Sequence, residues 1–113
     1  MKMPKADDAT KDRFRRLVPD LPGVEVKPMF GQLGAFLQGN MFAGLFGDDI
    51  GVKLAADDLA ALREAGAGPF GPAERPMGGY LSLPAGVDDE TAERWIGKAA
   101  ELAATLPPKA RKR

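Results

Sequence analysis

The chain has 113 residues, 44% of them hydrophobic and 28% charged, which fits one small globular domain with a single core. It contains no cysteine and no histidine, so disulfides, thiolate nucleophiles, Cys/His zinc sites and imidazole bases are excluded. Lys109, Arg111, Lys112 and Arg113 crowd the last five positions and leave twelve basic against sixteen acidic residues, a net −4, over residues 1 to 108, a poor footprint for nucleic acid.

The N-terminal MKMPKADD carries no apolar signal core, and no apolar run reaches the roughly 20 residues that a bilayer crossing needs. A soluble, cytoplasmic chain without membrane association is therefore expected. Residues 1–9 read as a flexible N-terminus, 10–106 as one domain and 107–113 as a basic, solvated tail.

Residues 7–18, DDATKDRFRRLV, place acids first and bases later, with Phe14, Leu17 and Val18 at helical spacing. Pro19 and Pro22 stop that helix. From Val24 to Leu54 short apolar runs alternate with Gly, Asn and Asp, the pattern of antiparallel strands joined by tight turns. Residues 57–65 resume helical spacing through Leu59 and Leu62, with Asp57 as cap and Gly66 as stop. A Gly/Pro connection, GAGPFGPAERP at 66–76, leads to one more strand at 77–83. A long helix from about Asp88 to Leu106 carries the stripe Ala92, Trp95, Ile96, Ala99, Leu102, Ala103 and Leu106.

Gly39-Asn40 reads as a two-residue II′ hairpin loop, pairing Leu37 with Phe42 and Ala35 with Gly44. Asp48-Asp49 reads as a second turn, pairing Leu45 with Val52. Alternation then assigns Phe36, Met41, Ala43, Leu45, Ile50, Val52 and Leu54 to the core. The other face receives Leu33, Ala35, Leu37, Phe42, Gly44, Phe46, Gly51 and Lys53, too apolar for a routine solvated surface. Either Trp95, Tyr80 or the 66–76 connection folds over it, or it meets a partner or a second copy. The expected interaction face is Leu33, Leu37, Phe42, Phe46 and Lys53.

Motifs for chemistry are weak. GQLGAFLQG has no GK[ST] after it and does not match GxGxxG at any offset. The pairs Asp7-Asp8, Asp48-Asp49 and Asp57-Asp58 fit caps and turns better than metal ligation, because neighbouring side chains on a strand or helix point apart. No hydroxyl sits in GxSxG, and no catalytic, cofactor-binding or metal-binding residue is nominated.

The ordered set MFG with a glycine-rich hairpin to MF (29–42), VKL (52–54), GPF (68–70), PMGGY (76–80), LP (83–84) and a Trp-bearing amphipathic helix resembles the N-terminal domain of the TfoX/Sxy family, over roughly residues 10–108. The resemblance implies an α+β domain: an antiparallel sheet of about five strands with helices packed on it, in the order α-β-β-β-β-α-β-α. It implies a stand-alone N-terminal domain, without the second, C-terminal domain related to helix-hairpin-helix modules that longer members carry. It also implies a setting in competence and transcription regulation, with no enzyme activity and no cofactor.

The leading expectation is a noncatalytic domain acting through contact with a protein partner or as a homodimer. A nucleic-acid-associated regulator using Arg13, Arg15, Arg16 and the tail is the first alternative. A small-molecule-binding domain or enzyme, with Lys53 and Tyr80 as its polar groups, is the second.

Overall fold

The computed structural model describes residues 7–29, 32–47, 49–71, 78–84 and 86–107. The first helix, α1 (Asp8–Leu17), begins where the Asp7 carboxylate accepts the Thr10 backbone N–H at 2.8 Å. That bond holds the Asp7 carboxyl below its usual range. Residues 7–9 thus belong to the folded unit rather than to the N-terminal arm expected from sequence.

Four strands follow in sequence: β1 (Val24–Met29), β2 (Gln32–Leu37), β3 (Asn40–Phe46) and β4 (Asp49–Lys53). After α2 (Ala56–Glu64) come a two-residue strand, β5 (Gly68–Pro69), then β6 (Tyr80–Ser82) and the long helix α3 (Asp89–Ala104). The sheet order is β1-β2-β3-β4-β6-β5 with every pair antiparallel. The α+β class and the antiparallel meander are as the sequence implies; β5 is the added strand, too short to carry a periodic signal.

The β2–β3 hairpin differs from the expected register. Leu37 pairs with Asn40, so the loop residues are Gln38 and Gly39, with φ of 51° and 86°. Positive φ at both central positions is the I′ requirement, and that turn's twist matches the strands it joins. Asn40 is left on the strand, where its Nδ2 donates to the Pro107 carbonyl at 2.9 Å and ties the end of α3 to the hairpin. Beyond the turn, Phe36 pairs with Met41 but Ala35 with Ala43, making Phe42 the extra residue of a β-bulge.

The faces change accordingly. Leu33, Ala35 and Leu37 join Phe42, Ala43 and Leu45 in the core with Ile50, Val52, Leu54 and Leu81, beneath Phe14, Leu17, Leu62 and Ile96 of the helices. Phe36 and Met41 move to the opposite side. The β3–β4 turn also closes earlier than expected, with Phe46 opposite Asp49 and Leu45 opposite Ile50. A slip of two partners preserves side-chain parity, so Ile50, Val52 and Leu54 keep their expected core positions.

α3 packs across β2, β3 and β4, and α2 packs against β6. Asp88 caps α3 by accepting the Thr91 N–H at 2.8 Å, and hydrogen bonding from the Thr91 hydroxyl, then from that N–H, holds its carboxyl below the usual range. Ala55, rather than Asp57, occupies the cap position of α2 and makes no side-chain bond; Asp57 and Asp58 lie in the first turn, favourably placed against the helix dipole. Arg13 joins α1 to the start of α3, donating from Nε to Asp89 at 2.7 Å and from Nη2 to the Val87 carbonyl at 2.9 Å. Among the described residues, no helix is long and apolar enough to cross a membrane.

A non-glycine residue at φ 51° is held in a sparsely populated region that asparagine tolerates better than glutamine. Gln38→Asn should therefore raise stability by about 0.5 kcal/mol in denaturant melts. A loss of stability would argue against the Gln38-Gly39 turn.

Candidate functional site

The sheet face opposite the helices holds the groups that a binding function could use. Register places Lys27, Gly34, Gly44, Gly51, Ser82 and Gly68 side by side, one from each strand, in a row across the whole sheet. Four of the six have no side chain and a fifth is serine, so the row forms a shallow trench running perpendicular to the strands.

Phe70 fills part of it. The chain folds back from the β5 edge and lays the Phe70 ring on Gly51, so closely that a Cβ there would overlap the ring. Phe46 meets this ring edge-on at a centroid distance of 6.4 Å, and Tyr80 stacks on it at 5.9 Å. Such aromatic pairs add about 0.5–1.5 kcal/mol each beyond the area they bury. The Met41 methyl covers Gly44 in the same trench.

The polar groups of this face are committed to the backbone. Tyr80 Oη donates to the Met41 carbonyl at 3.0 Å, just before the bulged Phe42. Burial pushes the Tyr80 hydroxyl up to about 12. Buried Gln32 accepts the Gly47 N–H through Oε1 and fastens β2 to the β3–β4 turn. Ser82 Oγ donates to the Pro69 carbonyl at 3.1 Å and holds β5 against β6. Lys27 Nζ lies 5.3 Å from the Phe36 ring centroid, in cation–π range.

The expected interaction face is only partly assembled. Leu33, Leu37 and Phe42 are core residues, the last wholly buried, because the bulge at Phe42 shifts them to the helix side. Phe46 and Lys53 do lie opposite the helices, where Phe36 and Met41 join them, and all four are half-buried. Tyr80 and the connection residue Phe70 cover this face; Trp95 instead packs from α3 against the core. Among the described residues Leu21, at 48%, is the one exposed large hydrophobic side chain. The 66–76 connection was expected as one possible cover for this face, but the seat of Phe70 on Gly51 has no signature in sequence. The missing information was the register, which no local pattern supplies.

Outside the trench, an open cleft of about 570 Å³ lies between the last turn of α2 and the β5–β6 edge, lined by Arg63, Gly68, Pro69, Gly79, Tyr80 and Leu81. Arg63 is its one charged side chain among these, and no convergent acid–base pair accompanies it. Among the described residues no group of three or more acidic side chains is placed to hold a metal. The cations suggested for nucleic acid are divided: Arg13 is engaged by Asp89 and Val87, and Arg15 lies 3.1 Å from Asp12.

A protein-family model described as the TfoX N-terminal domain matches residues 16–103, which takes in the whole sheet and nearly all of α3. No curated protein and no solved structure is matched by the chain.

Gly51→Ala should expel the Phe70 ring and cost about 1–3 kcal/mol in denaturant melts. The same change in a Phe70→Ala background should cost much less, and additive effects would refute the contact. Tyr80, the chain's one tyrosine, permits a direct titration. Its raised folded value means that it contributes its full stability below about pH 10 and loses it as pH climbs toward 12. Tyr80→Phe should flatten that alkaline loss; an ultraviolet titration with tyrosinate forming near pH 10 in the folded chain would contradict the burial.

Proposed function

We propose that this chain, which belongs to the TfoX N-terminal domain family, is a noncatalytic regulatory domain that works by protein–protein contact, in the competence- and transcription-related setting that the resemblance implies. The observation carrying this reading is the strip of half-buried Phe36, Met41 and Phe46 flanked by Lys27 and Lys53 on the sheet face away from the helices. Apolar side chains rimmed by Lys53 and by the Lys27–Glu25 ion pair suit a contact surface better than a reaction centre. The polar groups nearby support it too, since Gln32, Ser82 and Tyr80 are spent on backbone partners rather than left free to bind or transfer a proton.

The β1 edge is a poorer contact site. Gln38 N–H bonds the Gly23 carbonyl, so the alternating ladder turns the backbone groups of Val24, Val26 and Pro28 toward the free edge. Pro28 has no N–H to offer, and Val24 N–H is already bonded to the Leu21 carbonyl. A strand added there would find few donors, a common way of blunting an edge. The sheet face is therefore the preferred surface for a second copy of the chain.

Sedimentation over a concentration series should find a wild-type dimer, weakened at least about tenfold by Phe36→Asp without loss of the folded spectrum. A wild type that stays monomeric throughout the series would remove self-association through this strip. Phe42→Asp is the contrasting variant: a carboxylate placed in the core should unfold the domain rather than separate its copies. Titration with DNA or RNA at low salt should yield no binding; affinity that falls steeply with salt would favour the nucleic-acid reading instead.

A further inference from the structure

We propose that residues 67–70 form a strap that opens while the rest of the sheet stays folded, uncovering an aromatic slot that takes an extended peptide carrying a phenylalanine-like side chain. This is a second contact, which shares Phe46 with the strip around Phe36. Its basis is an imbalance between how weakly the strap backbone is held and how deeply one of its side chains is seated.

Along the backbone, β5 pairs at two positions only, Gly68 with Ser82 and Pro69 with Leu81, and proline contributes no N–H. The Ser82 hydroxyl on the Pro69 carbonyl and the Ala67 N–H on the Leu62 carbonyl add two further bonds. On its outer side the strap borders the open cleft, and a Cβ built on Gly68 meets nothing within 4 Å. Gly66 and Gly71 stand at its two ends with φ of 107° and 102°, conformations reserved for glycine, which rotates more freely than any other residue. Phe70 is the principal anchor.

The slot beneath belongs to the sheet and not to the strap. Gly51 and Ser82 make its floor on β4 and β6, Phe46 stands on β3, and Tyr80 is fixed by its own bond to the Met41 carbonyl. None of these anchors is supplied by residues 67–70. When the strap leaves, the slot keeps its walls, and β6 regains a free edge at Leu81 and Ser82. An incoming extended segment could pair with that edge as β5 does and set its aromatic ring on Gly51, which is strand addition with side-chain specificity. The occupant's chemistry is read from the occupant already there, Gly-Pro-Phe.

Native-state hydrogen exchange on the wild-type chain tests the opening directly. The β5–β6 ladder amides should exchange through an opening at least about tenfold more populated than the one that releases the β3–β4 ladder. Equal opening free energies for the two ladders would overturn the strap. Binding is tested with Phe70→Ala, titrated with a synthetic peptide of residues 66–71 and with the same peptide bearing alanine in place of its phenylalanine. The first should shift the NMR signals of Phe46, Tyr80 and Ser82, at least about tenfold more tightly than the second. If Phe70→Ala keeps its β3–β4 signals and binds neither peptide, the slot is overturned, while the dimer measurement decides the Phe36 strip separately. If Phe70→Ala unfolds, the slot does not stand without its plug and the proposal fails.

Discussion

The register between β2 and β3 is the constraint on which the rest of the molecule depends. Two features set it: a turn that needs positive φ at both Gln38 and Gly39, and a bulge that makes Phe42 an extra residue. Together they send Leu33, Ala35 and Leu37 to the helix side along with Phe42, Ala43 and Leu45. Side chains in a strand alternate, so a pairing shifted by one would exchange these residues for Gln32, Gly34 and Phe36. Fully burying a leucine or phenylalanine is worth about 1.5–3 kcal/mol, so three such exchanges would exceed much of a small domain's net stability.

The opposite face follows from the same pairing. With Gly34 opposite Gly44, and Gly44 opposite Gly51, small residues line up across neighbouring strands and leave a trench rather than a ridge. Glycines weaken a strand, since they lose the most conformational freedom on ordering and offer nothing to pack. Here the loss is offset locally by Phe70 and Met41, whose side chains lie where Cβ atoms would otherwise stand. The aromatic cluster of Phe46, Phe70 and Tyr80 is thus a product of glycine placement as much as of the aromatic residues themselves.

This arrangement also explains an apolar second face in a small antiparallel sheet with all its helices on one side. Such a sheet normally turns one polar face to water. In this chain part of that face is covered from within, by a connection that returns over it, and part remains as the half-buried strip of Phe36, Met41 and Phe46 beside Lys27 and Lys53. The covered part and the strip are continuous along β3, so the protein presents a graded surface: sealed near β6, partly open toward β1. Tyr80 lies at the sealed end, where burial holds its hydroxyl neutral well above the usual range and keeps it donating to Met41.

The sequence by itself determined every element except β5. The α3 stripe from Ala92 to Ala103 and the hairpin character of residues 24–54 follow from periodicity and turn chemistry, which are local, and the α+β class was implied by the family resemblance. The ordered motifs likewise pointed to the family. Only the tertiary structure decided which face each strand residue occupies. Placing the turn at Gln38-Gly39 instead of Gly39-Asn40 slips the pairing by two and keeps side-chain parity; it is the bulge at Phe42 that moved Leu33, Leu37 and Phe42 from an expected contact surface into the core. The seat of Phe70 on Gly51 was equally out of reach, because it joins residues far apart in the chain through strand order and register, and those are settled by the burial of the whole core rather than by any local run of residues.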